Sequence, residues 1–390
     1  MVKKIAILGS TGSIGTNALR VIEALGPGYQ VFALSAHSNI ELLAQQAKKY
    51  KPKYIAITNP DYTKKFLELI GNNDIEILTG PSGMVEIAQL DEVDILLAAV
   101  VGSAGLPALL AAAEKGKRLA IANKEPLVIA GQMLLEKTKK SGGSILPVDS
   151  EHSAIFQSMQ SGKREEVYKI ILTASGGPFR KLSLKEIENV TLEQALAHPT
   201  WNMGPKITVD SATMMNKAFE VIEARWLFDM PVDKLDVVIH PESIIHSLVE
   251  FIDGSIIAQL GKPDMCLPIQ YALTYPSRVE GIVNRLRLQE VGNLTFFEPN
   301  LEVFRGLKLG FEVARTGGTT AVVFNAANEA AVAEFLAGRI KFVTIVELIE
   351  HCLNKHSNKN DVSLEELLET DRWARKEVKN YLKSGHKSLI

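Results

Sequence analysis

From residue 3 to residue 149 the chain alternates short, unbroken apolar runs with amphipathic stretches. No other feature restricts the fold so tightly. The runs are KKIAIL (3–8), YQVFALSA (29–36), KYIAIT (53–58), IEILT (75–79), VDILLAAVV (93–101), RLAIAN (118–123) and SILPVD (144–149). Between them lie segments with helical spacing, such as ALRVIEAL (18–25) and IELLAQQAKKY (40–50). Continuous apolar strands separated by helices are the pattern of a parallel sheet covered on both faces. Residues 1–149 are therefore expected to form a doubly wound, Rossmann-like α/β domain.

At 390 residues the chain is too long for one compact core, and the rhythm changes after residue 150. A helix is expected over 152–162, then a strand over 168–175 that ends in a Gly-Gly-Pro turn. SLKE (183–186) has capping-box spacing, and a polar, proline-bearing loop (197–206) precedes one long helix over 211–228. A strand at 236–240 and a hairpin over 246–261, with Asp253-Gly254 at its turn, complete an α+β catalytic domain over 150–275. Residues 276–300 read as a linker. NAANEAAVAEFLAG (325–338), VTIVELIEHCLNK (343–355) and LEELLETDRWARKEVKNYL (364–382) predict a C-terminal helical domain over 301–390.

A net charge of −2 gives no support for a nucleic-acid or anionic-membrane partner, so any affinity for an anion must come from local placement of groups. Two isolated cysteines, Cys266 and Cys352, make no disulfide framework or zinc knuckle, and a reducing cytoplasm is the expected compartment. Residues 95–113 carry no charge and are long enough to cross a bilayer. Gly102, Gly105 and Pro107 split them into a strand and an Ala/Leu-rich helix, so no membrane span is expected. The apolar run at the N-terminus is too short for a signal-peptide core and reads as the first strand.

Strand 3–8 runs into GSTGSIG (9–15) and then a helix. Glycines there let the backbone approach a pyrophosphate, and the helix N-terminus supplies N–H groups; a ligand-free structural turn is the plainer reading. The second strand ends SAHSN (35–39) with no carboxylate until Glu41. That favours NADPH over NADH, with His37, Ser38 and Asn39 as donors. Asn123, Lys124 and Glu125 follow strand 118–123, where such sheets bind ligands, although a Lys-Glu pair is more often a solvated surface pair. Asp149 and Glu151, two apart on what reads as an extended segment, are expected to share a face and to suit a hard cation such as Mg²⁺ or Mn²⁺. The other reading is an acidic pair favoured by the dipole of helix 152–162. A further ligand is sought on helix 211–228. There Asn216 and Glu220 share a face beside Lys217, and Glu223 is either a weaker candidate or a solvated charge. The turn TASGGPF (173–179), with Ser175, joins Ser211, Asn216 and Lys217 as a phosphate-binding set. His198 and Trp201 lie in the intervening loop, either as ordinary loop residues or as part of a lid.

Taken in order, GSTGSIG, NKE, VDSEH, TASGGPF, the HPTWNMG loop, SATMMNKAFEVIEA and NAANEAAV closely resemble the 1-deoxy-D-xylulose 5-phosphate reductoisomerase family over nearly the whole chain. The resemblance implies a homodimer acting on a small sugar phosphate. It implies that NADPH and a divalent metal support rearrangement and reduction to 2-C-methyl-D-erythritol 4-phosphate. By the same likeness Asp149, Glu151 and Glu220 bind the metal, and Thr11, Gly12, Ser13 and Ile14 contact the cofactor phosphates. His37, Ser38 and Asn39 read the adenosine end, Asn123, Glu125 and Gly204 contact the cofactor elsewhere, and Met265 approaches the nicotinamide. Lys124, Ser150, Ser175, His198, Ser211, Asn216 and Lys217 match substrate positions, with Glu151, Trp201 and Glu220 alongside; Trp201 and Met203 belong to the lid. Lys124, Glu151 and His198 are the residues expected in the chemistry, Lys124 supporting an oxyanion and Glu151 handling protons. His37 and Ser38 depart from the family, where glycine and a basic residue are common. Two other readings stay open: a metal-independent NADP dehydrogenase of another phosphorylated carbonyl compound, and a non-catalytic NADPH sensor.

Overall fold

The computed structural model describes residues 2–199, 201 and 203–384; Thr200 and Asn202 of the HPTWNMG loop lie outside the described residues. The chain divides into two compact units, one comprising the residues up to Pro126, Gly131–Phe156 and Asp264–Arg285, the other comprising Leu127–Ala130, Gln157–Pro263 and the chain from Leu286 onward.

The first unit is built on a seven-stranded, wholly parallel sheet: β1 (Lys3–Leu8), β2 (Tyr29–Ala36), β3 (Tyr54–Ile57), β4 (Glu76–Thr79), β5 (Ile95–Ala98), β6 (Arg118–Ile121) and β7 (Ser144–Pro147). The strand order is β4-β3-β2-β1-β5-β6-β7, so the direction of winding reverses between β1 and β5. A crevice opens at the carboxyl ends there, which is where open α/β sheets place a ligand. Ile5, Ile7, Leu34, Ile55, Ile57 and Leu97 are among the fully buried side chains of its core. The helix Cys266–Thr274 joins this unit despite its distance in sequence, packing Cys266, Ile269 and Leu273 into the same core. Residues 95–113 are split as expected into β5 and the helix Leu106–Glu114, with Gly102–Gly105 forming a short 3₁₀ turn between them. No helix of the described residues is long and apolar enough to cross a membrane.

The second unit holds a four-stranded mixed sheet in the order β11-β10-β8-β9. Its strands are β8 (Val167–Ala174), β9 (Leu235–Ile239), β10 (Ile245–Phe251) and β11 (Ile256–Leu260). The β10–β11 hairpin turns at Asp253-Gly254, where Gly254 has φ +86° and Asp253 accepts from the Ser255 N–H. Phe297, from the weakly periodic stretch, bridges antiparallel to Ile239, and a short helix, Leu288–Val291, also interrupts that stretch. The C-terminal helices are Arg305–Thr316, Thr320–Leu336, Thr344–Lys355 and Leu364–Lys383. Arg305–Thr316 lies very close to the helix Met215–Leu227, because a Cβ at Gly310 would stand 2.5 Å from the Ala218 Cβ.

Two expectations fail locally. The single helix over 211–228 is two helices, Pro205–Ala212 and Met215–Leu227, broken where Met214 takes a left-handed conformation (φ +61°). Thr213 explains the break: its hydroxyl bonds back to the Val209 carbonyl at 3.0 Å and accepts the Met215 N–H at 3.4 Å. A hydroxyl that competes for backbone groups in this way favours a helix end over a helix interior. Nor do Asp149 and Glu151 sit on one extended segment. β7 ends at Pro147 and a helix begins at Ser150, with Ser153 N–H donating to the Asp149 carbonyl at 2.8 Å, so Glu151 is in the first turn.

Candidate active site

At the end of β1 the glycines perform separate tasks. Gly9 has φ +84°, and a Cβ there would stand 2.6 Å from the Ala99 carbonyl oxygen beyond β5. A Cβ on Gly15 would stand 2.4 Å from the Gly9 carbonyl oxygen, so the helix Ser13–Leu25 can sit on the turn only with glycine at that position. That helix begins after Gly12 and has no acidic residue in its first turn, which leaves its positive end uncompensated. Beneath the turn, Ser10 is fully buried and exchanges two bonds with Gln46: Ser10 Oγ donates to Oε1 at 2.7 Å and Gln46 Nε2 donates to the Ser10 carbonyl at 2.9 Å. Gly9 N–H donates to Ser35 Oγ at 3.0 Å. Thr11, Gly12, Ser13 and Ile14 are thereby presented on a fixed backbone.

His37, Ser38 and Asn39 are exposed at the end of β2. His37 Nδ1 lies 2.9 Å from Thr58 Oγ1, and Asn39 caps the helix Ile40–Tyr50 by accepting the Leu42 N–H at 3.3 Å. Asn123 donates from Nδ2 to the Gly102 carbonyl at 3.2 Å, while its Oδ1 is buried with no hydrogen-bond partner among the described residues. A buried carbonyl left bare costs free energy until something donates to it. That is an observation in favour of a bound amide, such as a nicotinamide carboxamide, at this end of the sheet. Met265 packs against the same core cluster as Ile14 and Ala99, and Cys266 Sγ meets Asn17 Oδ1 at 3.6 Å, which ties this segment to the helix that follows GSTGSIG.

The surface-pair reading of Lys124 and Glu125 is overturned: they are only 7% and 6% exposed. Lys124 Nζ lies 2.8 Å from Asp149 Oδ2. Ser150 Oγ donates to Glu151 Oε2 at 2.7 Å. His152 was not legible as a site residue, yet it is fully buried with Nδ1 3.8 Å from Asp149 Oδ2. The signal lay in VDSEH, because His152 follows Asp149 by three residues and so comes back over it on the first turn of the helix.

In the second unit Ser175, at the end of β8, faces the loop histidine: Ser175 Oγ and His198 Nε2 are 3.2 Å apart. The Trp201 backbone N–H donates to His198 Nδ1 at 2.9 Å, so Nδ1 carries no proton in this arrangement, and burial pushes the His198 pKa down from its ordinary value. The neutral ring therefore holds its proton on Nε2 and donates to Ser175 Oγ. Gly177 N–H donates to that oxygen as well, at 3.3 Å. With two bonds accepted, the Ser175 hydroxyl is left with its proton to donate. Gly177, with φ +65°, packs against the Ser211 carbonyl: a Cβ there would stand 2.7 Å from it. Ser211 thus sits beside the Ser175 turn, at the end of the helix Pro205–Ala212.

On the next helix Lys217 is 4% exposed and ion-pairs with Glu220, which is fully buried and also accepts from Asn216 Nδ2. Glu223 is 1% exposed and so is not a solvated charge. Gly204 and Met203 lie where the loop enters the helix Pro205–Ala212, Gly204 as its exposed cap residue. Sequence reasoning also missed Asp210 and Asn328, both buried and bonded to each other.

A glycine turn at the switch point of a parallel sheet, with an acid-free helix start behind it, defines a dinucleotide-dependent α/β enzyme, and the second unit carries the Ser175–His198 turn and the buried carboxylates Glu220 and Glu223. Comparison with known proteins gives the particular family. The family model for 1-deoxy-D-xylulose 5-phosphate reductoisomerase matches residues 5–131, and those for its C-terminal domains match 145–228 and 260–377. A protein of that name from Pelodictyon phaeoclathratiforme is 49% identical over 380 residues, covering 97% of this chain and 100% of its own. The Zymomonas mobilis enzyme solved in complex with NADPH is 42% identical with a TM-score of 0.93, covering 98% of this chain and 100% of its own. A DOX-P reductoisomerase solved with NADPH, fosmidomycin and magnesium is 41% identical, with a TM-score of 0.93 and 98% of each chain covered. The chain belongs to the 1-deoxy-D-xylulose 5-phosphate reductoisomerase family.

Proposed function

We propose that this chain carries out the NADPH- and divalent-metal-dependent rearrangement and reduction of 1-deoxy-D-xylulose 5-phosphate to 2-C-methyl-D-erythritol 4-phosphate, a step of non-mevalonate isoprenoid biosynthesis. The observation that carries the reading is the Ser175–His198–Gly177 arrangement, a corner of neutral donors with Ser211 alongside. Together with Asn216 and Lys217, that corner takes a phosphate without a surplus of charge. Held by its phosphate, the substrate is oriented at its far end, and the loop bearing His198, Trp201 and Met203 excludes water once it closes.

Asp149, Glu151 and Glu220 offer only carboxylate oxygens, the donor type that Mg²⁺ and Mn²⁺ prefer, and they are the residues that would hold the metal. When bound, the metal supplies Lewis-acid stabilisation of negative charge on the substrate oxygens. Lys124 supports the same charge from its buried position, and Glu151, with Ser150 donating to it, is the group placed to handle protons. NADPH supplies the hydride. Thr11, Gly12, Ser13 and Ile14 would hold its phosphates, His37, Ser38 and Asn39 its adenosine end, and Asn123, Glu125, Gly204 and Met265 the remainder. The buried, bare Asn123 Oδ1 supports the cofactor placement.

The chain is read as a cytoplasmic homodimer. Cys266 and Cys352 are free, buried thiols. β11 is an edge strand, and its exposed Ile256, Ile257 and Leu260 suit pairing with a second copy. The test follows NADPH absorbance with 1-deoxy-D-xylulose 5-phosphate, with and without a chelator. Oxidation that depends on both substrate and metal is expected. Turnover that survives thorough metal removal overturns the metal assignment, and no turnover with metal present overturns the substrate.

A further inference from the structure

We propose that Asn328 is a positioning residue for the phosphate-binding corner, acting through Asp210; the proposal rests on reading Ser211, Asn216 and Lys217 as substrate contacts. Asn328 Nδ2 donates to Asp210 Oδ1 at 2.8 Å, and the two residues are 0% and 1% exposed. The other carboxylate oxygen, Oδ2, lies 2.9 Å from Lys206 Nζ. Asp210 is thus held from the helix Thr320–Leu336 by Asn328 and, within its own helix, by Lys206 in the first turn.

What Asp210 holds gives the bond its importance. Ser211 is the next residue, and Thr213 and Met214 form the left-handed corner from which Asn216, Lys217 and Glu220 depart. A rigid Asp210 fixes the last turn of one helix and, through the corner, the first turn of the next. On the helix Thr320–Leu336, Phe324, Ala331 and Val332 share the Asn328 face and are apolar and buried, so packing alone does not call for asparagine. Asn328 also leaves its own Oδ1 buried and without a hydrogen-bond partner among the described residues. A side chain that makes one long-range bond at the cost of a bare carbonyl is placed for that bond. Asn325, on the same helix and equally buried, points its Nδ2 at Glu329 instead (3.3 Å) and serves as the internal control.

The test uses the full-length enzyme with 1-deoxy-D-xylulose 5-phosphate, NADPH and magnesium. Asn328→Ala is expected to raise KM for the sugar phosphate about tenfold, leaving kcat within about threefold and NADPH affinity, read by fluorescence titration, unchanged. Asn325→Ala is expected to lower the melting temperature without moving KM. In a double-mutant cycle with Asp210→Ala, the rise in KM from Asn328→Ala should largely vanish when Asp210 is already alanine, because both changes remove the same bond. Asn328→Ser, which keeps a donor, guards against loss of the fold and should raise KM less than alanine does. An unmoved KM in Asn328→Ala, an equal rise in Asn325→Ala, or additive effects in the double-mutant cycle each overturns the proposal. A wild type that fails to turn over the sugar phosphate is a different outcome and overturns the substrate reading instead.

Discussion

The cofactor turn proposed in the first unit and the phosphate corner proposed in the second both rest on tight turns and small side chains, but they are built in different ways. The turn is assembled from seven consecutive residues, GSTGSIG, in which Gly9 and Gly15 each remove a specific collision. The corner is gathered from the end of β8, a loop more than twenty residues later, and two successive helices, and is held by side-chain bonds of long sequence separation. A site written in one stretch is broken by adding a methyl group. A dispersed site is broken by removing a partner.

The largest effect should come from the dispersed site. Glu220→Gln is expected to weaken activation by magnesium by more than about a hundredfold, whereas Glu223→Gln costs less than about tenfold; a magnesium titration of turnover separates them. Equal effects would mean that the wrong carboxylate has been assigned. Next comes the local site. Gly15→Ala forces a Cβ to within 2.4 Å of the Gly9 carbonyl, and overpacking of about 1–3 kcal/mol, if it falls on the bound state, corresponds to NADPH binding weakened about 5- to 150-fold. Retained NADPH affinity would show that the turn yields. Gln46→Ala, which removes the support beneath Ser10, should weaken NADPH by only about two- to tenfold, the scale of a net hydrogen bond.

The smallest effect tests the His198 ring. Its pKa is depressed in the folded protein, so below the ordinary histidine value of 6.5 the unfolded chain takes up a proton that the folded chain refuses. The stabilisation is complete above pH 6.5 and is lost as pH falls toward the folded value. Between pH 6.5 and 5.5 the wild type should lose about 1–2 °C of melting temperature more than His198→Gln does. Identical pH profiles would remove the neutral-ring assignment.

The same contrast decides what could be read from the sequence. β1 and β2 coincide with the runs 3–8 and 29–36, because continuous apolar segments and glycine turns are local signals. The hairpin and the division of residues 95–113 were legible for the same reason. The failures concern polar groups whose partners are remote. Thr213 breaks a helix that apolar spacing alone would continue, and Asp210 reads as an ordinary helix carboxylate until Asn328, 118 residues away, is seen beside it. Lys124 and Glu223 read as solvent-exposed because burial of a charge depends on what the rest of the fold places over it. The assignments to metal, substrate and cofactor came largely from family likeness; single-residue chemistry left Asp149 and Glu151 evenly divided and gave most of the others a plain structural alternative.

For anyone making molecules to fill the phosphate corner, the Ser175 hydroxyl sets a polarity rule. Its oxygen already accepts from the Gly177 N–H and the His198 ring, so what it has left to offer a ligand is its proton. A group designed to meet it must bring lone pairs, as phosphonates, sulfonates and carboxylates do. An ammonium or amide N–H aimed at the same point would meet a hydrogen with another hydrogen, and an inhibitor series should lose potency there however well its shape fits.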